Sequence, residues 1–191
     1  MMNMFEAAFP IDLRVNLNVV LNSIPNKTFN DVHFVTSDNV ISYILDNFTV
    51  EIPYRMYLLD VAEDTYNALN DIQKQILCCI YTRSCNGYIR EKYLRKLLEM
   101  PFNQWAIPFI VKLCDEYILE IIEIIYGKLK ERNNADIQDF CEKNKLTIRK
   151  SYSRMISYWN EYYRELEQDF NKYIGRSLFR ECLGYNRSFE R

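Results

Sequence analysis

The residue types that could carry a reaction are few in this chain, and their spacing is poor for the purpose. There are six cysteines (Cys78, Cys79, Cys85, Cys114, Cys141 and Cys182) and one histidine, His33. A zinc site wants thiolates or imidazoles paired two to four residues apart, and no C-x-x-C pair exists here. His33 sits in the alternating segment Asp31–Thr36, which reads as a strand and gives it a structural or exposed place rather than that of a base. Glu116, Glu120 and Glu123 recur at helical spacing, but a di-metal bundle adds Glu-x-x-His, and no histidine follows. Glycine-rich phosphate cradles and the G-x-S-x-G elbow are also missing. No catalytic, cofactor-binding or metal-binding residue is therefore assigned. The cysteines read as free buried thiols of a reducing cytoplasm.

One stretch is chemically dense. Ser151 to Arg164 reads SYSRMISYWNEYYR, with five aromatic rings and two arginines. At about 100° per residue, Ile148, Tyr152, Met155, Ile156, Trp159, Tyr163, Leu166 and Phe170 share one helical face, which is core. Ser153, Ser157, Asn160 and Arg164 form a polar stripe beside it. Either a neighbouring element approaches there and needs hydrogen bonds, or the stripe walls a polar groove that Tyr158 and Tyr162, on the opposite flank, cannot join. Arg154 lies outward with Glu161, free to meet solvent or a partner. The candidate interaction surface is thus Ser153, Ser157, Asn160, Arg164, Arg154, Tyr158 and Tyr162.

The elements that must position these residues are helices. Of 191 residues, 49% are apolar and 26% charged, a balance that builds a core rather than a disordered chain. Only four glycines are present, too few for many tight sheet turns. Ile11 to Leu21 reads as a short helix. Ser37-Asp38 reads as a cap before a helix over 39–48, and Thr49-Val50-Glu51-Ile52 reads as extended. From Asp64 a 3.6-residue stripe of Leu69, Ile72, Ile76, Leu77, Ile80 and Tyr81 gives one helix. Tyr88 to Met100 gives its antiparallel partner, with Tyr93, Leu94, Leu97 and Leu98 inward and Arg90, Lys92, Arg95 and Lys96 outward. Gln104 to Glu131, apolar nearly all round, reads as a central buried helix, or as two with a bend near Asp115-Glu116. Its charges, Lys112, Asp115, Glu116, Glu120 and Glu123, exclude a membrane span. Ile137 to Lys143 and a continuous helix over 145–170 follow.

Within this frame, Ala106 to Leu129 (AIPFIVKLCDEYILEIIEIIYGKL) resembles a single HEAT-type helical repeat. Pro108, Leu113, Asp115 and the Ile121, Ile122, Ile125 series fall at that pattern's positions, while Glu120 stands where a basic residue would. The resemblance implies a scaffold that binds protein or nucleic acid, not a catalyst. The expected fold is mainly α: a helical-hairpin, HEAT-like domain at residues 67–191. An irregular region at 1–66, with one or two short strands, packs on it to make one structural unit.

Charge is unevenly spread. Residues 1–142 carry 13 basic and 20 acidic side chains, net −7, whereas residues 143–191 carry 11 and 6, net +5. The basic quarter, with Arg149, Lys150, Arg154, Arg164, Arg176, Arg180 and Arg187, meets either nucleic acid or the chain's own acidic part. The leading expectation is a cytoplasmic protein-interaction or scaffold module, bound to another protein and not to a membrane. Usage of Asn, Lys, Ile and Tyr suggests a bacterial, AT-rich genome. Two alternatives stand beside it: nucleic-acid binding through the basic quarter, and an enzyme with a scattered site around Ser157, Asn160, Arg164 and Tyr88 or Arg90.

Overall fold

Near the amino terminus, Pro10 leads a 3-10 turn, Ile11–Leu13, straight into helix α1, Arg14–Ser23. A computed structural model describes residues 5–25 and 40–190, so the segment holding His33 and the Ser37-Asp38 cap lies outside the described residues. The described chain is mainly helical with one small two-stranded sheet. It divides into two compact units, Met1–Ala106 and Ile107–Arg191.

In the first unit, α1 buries Leu17, Val20 and Leu21 and leaves Val15 and Val19 exposed, as is Ile11 of the turn before it. The helix expected over 39–48 is instead a strand. Val40–Leu45 (β1) pairs antiparallel with Phe48–Pro53 (β2), from Val40 opposite Pro53 to Leu45 opposite Phe48. The run VISYIL is apolar at both periods, so helical spacing alone could not decide it. What decides is β-branched and aromatic content and a two-residue turn in which Asp46 takes φ 52°, the left-handed region that short hairpins require and Asp tolerates. Tyr43, Leu45, Val50 and Ile52 face inward.

The helix expected from Asp64 breaks into α2, Glu63–Asn67, and α3, Asp71–Tyr81. Asn70 stops and restarts the chain. Its side chain accepts from the Gln73 N–H at 2.9 Å, and the Gln73 side chain accepts from the Asn70 N–H at 3.1 Å, a capping box worth about 1 kcal/mol. Helix α4, Gly87–Glu99, completes the hairpin, with Asn86 as its cap. Arg90, expected outward, is 1% exposed. Its Nη1 donates to the carbonyls of Ser84 and Cys85 at 2.8 and 3.1 Å, closing the α3–α4 turn.

The second unit opens with α5, Ile107–Val111, buried throughout, and α6, Leu119–Lys130, which buries Ile121, Ile122, Ile125 and Leu129. The single central helix expected over Gln104 to Glu131 is thus broken into two, as the alternative reading had it, with the break near Asp115-Glu116, where the buried charges interrupt the apolar run. Each fully buried isoleucine contributes roughly 1.5–3 kcal/mol. Helix α7, Ala135–Lys143, leads to α8, Lys145–Tyr158, which continues as a π-helical turn, Trp159–Tyr163, and stops. The helix expected to run to residue 170 is thus cut short. The Trp159 indole N–H donates to the Glu167 carbonyl at 2.9 Å, and the N–H groups of Leu166 and Glu167 donate to the Tyr163 carbonyl. These bonds fold the chain back, so Phe170 meets Trp159 at 4.9 Å between ring centroids. Leu166, assigned to the core face, is 81% exposed. The last helical pieces are α9, Ile174–Ser177, and a π turn, Leu178–Cys182.

Candidate functional site

The bend between α5 and α6 carries charge into the interior. Lys112 and Asp115 have side chains only 2% and 1% exposed, with Nζ donating to Oδ1 at 2.5 Å. Asp115 Oδ2 also accepts from Arg154 Nη1 of α8. Arg154, expected to point outward, is half-buried and spent on this pair. The bridge fixes the start of α6 against α8, and a hydroxyl reinforces it. Tyr163 Oη donates to the Tyr117 carbonyl at 2.5 Å and accepts from the Leu119 N–H at 3.2 Å.

Those two anchors bring Tyr117 to α8. Its ring centroid lies 5.9 Å from that of Tyr158 and 6.2 Å from that of Tyr162, which are 6.1 Å from each other. Tyr117 and Tyr162 are 47% and 56% exposed. Three rings in mutual contact with two of them open to solvent form a ready docking face, because tyrosine presents a large rigid surface with a polar tip.

Beside it runs an open groove of about 720 Å3, lined by Asn160, Glu161, Tyr162, Arg164, Glu165 and Gln168. Arg164 Nη1 donates to Asn160 Oδ1 at 3.0 Å. Of the polar stripe, Asn160 and Arg164 line the groove, and Ser153 and Ser157 do not. Those two serines are exposed and donate back to the carbonyls of Arg149 and Ser153, each at 3.1 Å. Tyr162, placed on the opposite flank by α-helical geometry, lines the groove with Asn160 and Arg164. The reason is the π turn, whose i→i+5 bonds change the angle between successive side chains. Such turns occur often at functional sites.

No protein-family model, curated protein or solved structure matches this chain. Function must therefore be read from the surface itself. Among the described residues, no group of three or more His, Cys, Asp or Glu side chains is placed to hold a metal ion, and no helix is long and apolar enough to cross a membrane. Tyr88 and Arg90 belong to the first unit, and Ser157, Asn160 and Arg164 to the second.

Electrostatics divide the second unit. Burial raises the Tyr163 pKa, the Leu119 N–H it accepts from acts in the opposite sense, and the carboxylates of Glu120 and Glu123 raise it further. Burial raises Tyr152 and Tyr185 as well, but there Arg176 and Arg180 act on Tyr152 in the opposite sense, and Arg149 does so on Tyr185. Tyr117 was absent from the candidate surface. Nothing local marks it, since the pairing spans the whole separation from residue 117 to residue 158.

Proposed function

We propose that this protein is a non-catalytic interaction module that docks another protein on the Tyr117, Tyr158, Tyr162 face. The single observation behind the reading is that face: a tyrosine trio, two of its rings open to solvent, held from beneath by Asp115 and by the Tyr163 hydroxyl. Tyrosine is enriched among the residues that dominate protein–protein binding energy, and rigid anchors lose little entropy on association. The resemblance of residues 106–129 to a HEAT-type repeat supports a scaffold role in kind, since α5 and α6 form a helical pair joined by the Asp115 turn. The six unbonded thiols are compatible with a reducing compartment such as the cytoplasm.

Nucleic-acid binding is less well supported. Base stacking needs open rings, but at the cationic end Tyr152 stacks on Tyr185 at 4.0 Å and packs edge-on to Phe179 at 5.3 Å. Arg154, one of the basic candidates, is committed to Asp115. The test is a photo-crosslinking residue placed at position 162 in the full chain, with the exposed Glu131 position as control. Discrete protein adducts at 162 and none at 131 are expected. Adducts to nucleic acid alone, or identical patterns at both positions, would refute the reading.

A further inference from the structure

We propose that Arg149, Arg176 and Arg180, gathered about Tyr152, form a second site that takes a short acidic segment of a partner protein. Helix α8 supplies one wall. Lys145, Arg149 and Tyr152 stand at i, i+4 and i+7 and so share a helical face. That face looks onto the segment 185–190: Lys145 Nζ lies 5.7 Å from the Phe189 ring centroid, and Tyr152 stacks on Tyr185 at 4.0 Å. The other wall is α9 with the π turn after it. Phe179 packs edge-on to Tyr152 at 5.3 Å. The Arg176 guanidinium lies 5.9 Å from the Phe170 centroid, which is 6.5 Å from that of Tyr152. Burial raises the Tyr152 hydroxyl, and both Arg176 and Arg180 oppose that rise; Arg149 does the same at Tyr185.

These arginines are not committed elsewhere. Among the described residues none of the three forms an ion pair, whereas Arg14, Lys92, Arg95, Lys96, Lys143 and Arg154 each hold a carboxylate. Arg149 and Arg180 are exposed and Arg176 is half-buried. Glu190 acts on both Tyr152 and Tyr185 but pairs with none of them, and Lys145 is taken by Glu142 at 2.5 Å. A guanidinium is a flat fork of N–H donors that meets a carboxylate through two parallel bonds. The floor beneath the forks is closed, since Phe179, Phe189 and Tyr185 are only 0%, 3% and 6% exposed. Single-stranded bases would therefore find little ring surface to stack on. Duplex affinity grows with each phosphate neutralised, and three arginines supply few contacts, with Glu181 and Glu190 exposed on the same segments to repel a long polyanion. A segment bearing two or three carboxylates matches the number of forks.

The full chain is titrated, by fluorescence anisotropy at low salt, into labelled peptides of about a dozen residues, one alternating glutamate and serine and one alternating lysine and serine. Single-stranded and duplex DNA of similar length are the other probes. The glutamate peptide should bind most tightly. Its affinity should fall about tenfold in R176Q/R180Q, as when two charge-assisted contacts are lost, and should stay unchanged in R14Q/R95Q, which removes the same charge from the first unit. R149Q, on the exposed side of α8, should weaken binding with the thermal transition unmoved, which separates lost contacts from lost folding. An equal loss in R14Q/R95Q would reduce the effect to diffuse attraction and overturn the proposal. Tighter binding of either DNA, or no binding of any probe, would overturn it too. Self-association of the chain that disappears in R176Q/R180Q would make a second copy the occupant and likewise refute it. Crosslinking at position 162 reports on the tyrosine face alone, so its failure would leave this site standing, and its success would not save it.

Discussion

Asp115 occupies the position on which the tyrosine face depends most. Its carboxylate is 1% exposed and faces two cations, the buried Lys112 and the partly open Arg154. Removing one member of a buried ion pair costs about 3–5 kcal/mol, chiefly because the remaining charge keeps its desolvation penalty. Asp115→Ala should therefore lower stability to denaturant by about 3 kcal/mol. Arg154→Ala, which leaves Lys112 with its carboxylate, should cost clearly less. Equal midpoints for the two variants in urea would show that Arg154, not Lys112, is the partner that matters. The sequence did show these charges inside an apolar run, and they served to exclude a membrane span. Their mutual pairing was legible in the i, i+3 spacing of Lys112 and Asp115. The third member, Arg154, was not, since only the folded chain brings it near.

Among the elements, the helices with sharp sequence signals were read well. Gly87–Glu99 and Ala135–Lys143 each fall within a residue or two of expectation, a margin inside the usual fraying of helix ends. Errors fell where two periods fit the same residues, as in Val40–Leu45, or where a side chain overruled the pattern. Asn70 split one helix, and Trp159 turned another back before Leu166. The fold-back depends on a close approach. A Cβ on Gly175 would lie 2.5 Å from Tyr173 Cε1 and 3.0 Å from Met155 Cγ of α8. Met155 and Tyr173 are 0% and 3% exposed, so neither has free room. Gly175→Ala should thus destabilise by about 1–3 kcal/mol through overpacking, although alanine ordinarily favours a helix over glycine. A rise in melting temperature for this variant would mean that α9 does not seat against α8.

The whole molecule separates structure that supports itself from surface that looks outward. Residues 107–191 hold what a self-sufficient unit requires. The core of Ile121, Ile122, Ile125, Phe140, Ile148, Met155, Leu178 and Phe179 is buried. The Asp115 bridge ties the α5–α6 bend to α8, and Tyr126 Oη donates to Glu181 at 2.7 Å, tying α6 to the final π turn. The unit is also well above the roughly 40 residues below which a chain seldom folds unaided. Expressed alone, residues 107–191 should give a helical circular dichroism spectrum and one cooperative thermal transition. Asp115→Ala should lower that transition in the fragment as it does in the full chain, because every member of the bridge lies within it. A fragment that melts without cooperativity would mean that the tyrosine face is not built by its own unit. A cooperative melt indifferent to Asp115 would mean that the buried bridge does not brace it. In either case Tyr117, Tyr158 and Tyr162 would lose the footing that Asp115 and the Tyr163 hydroxyl give them.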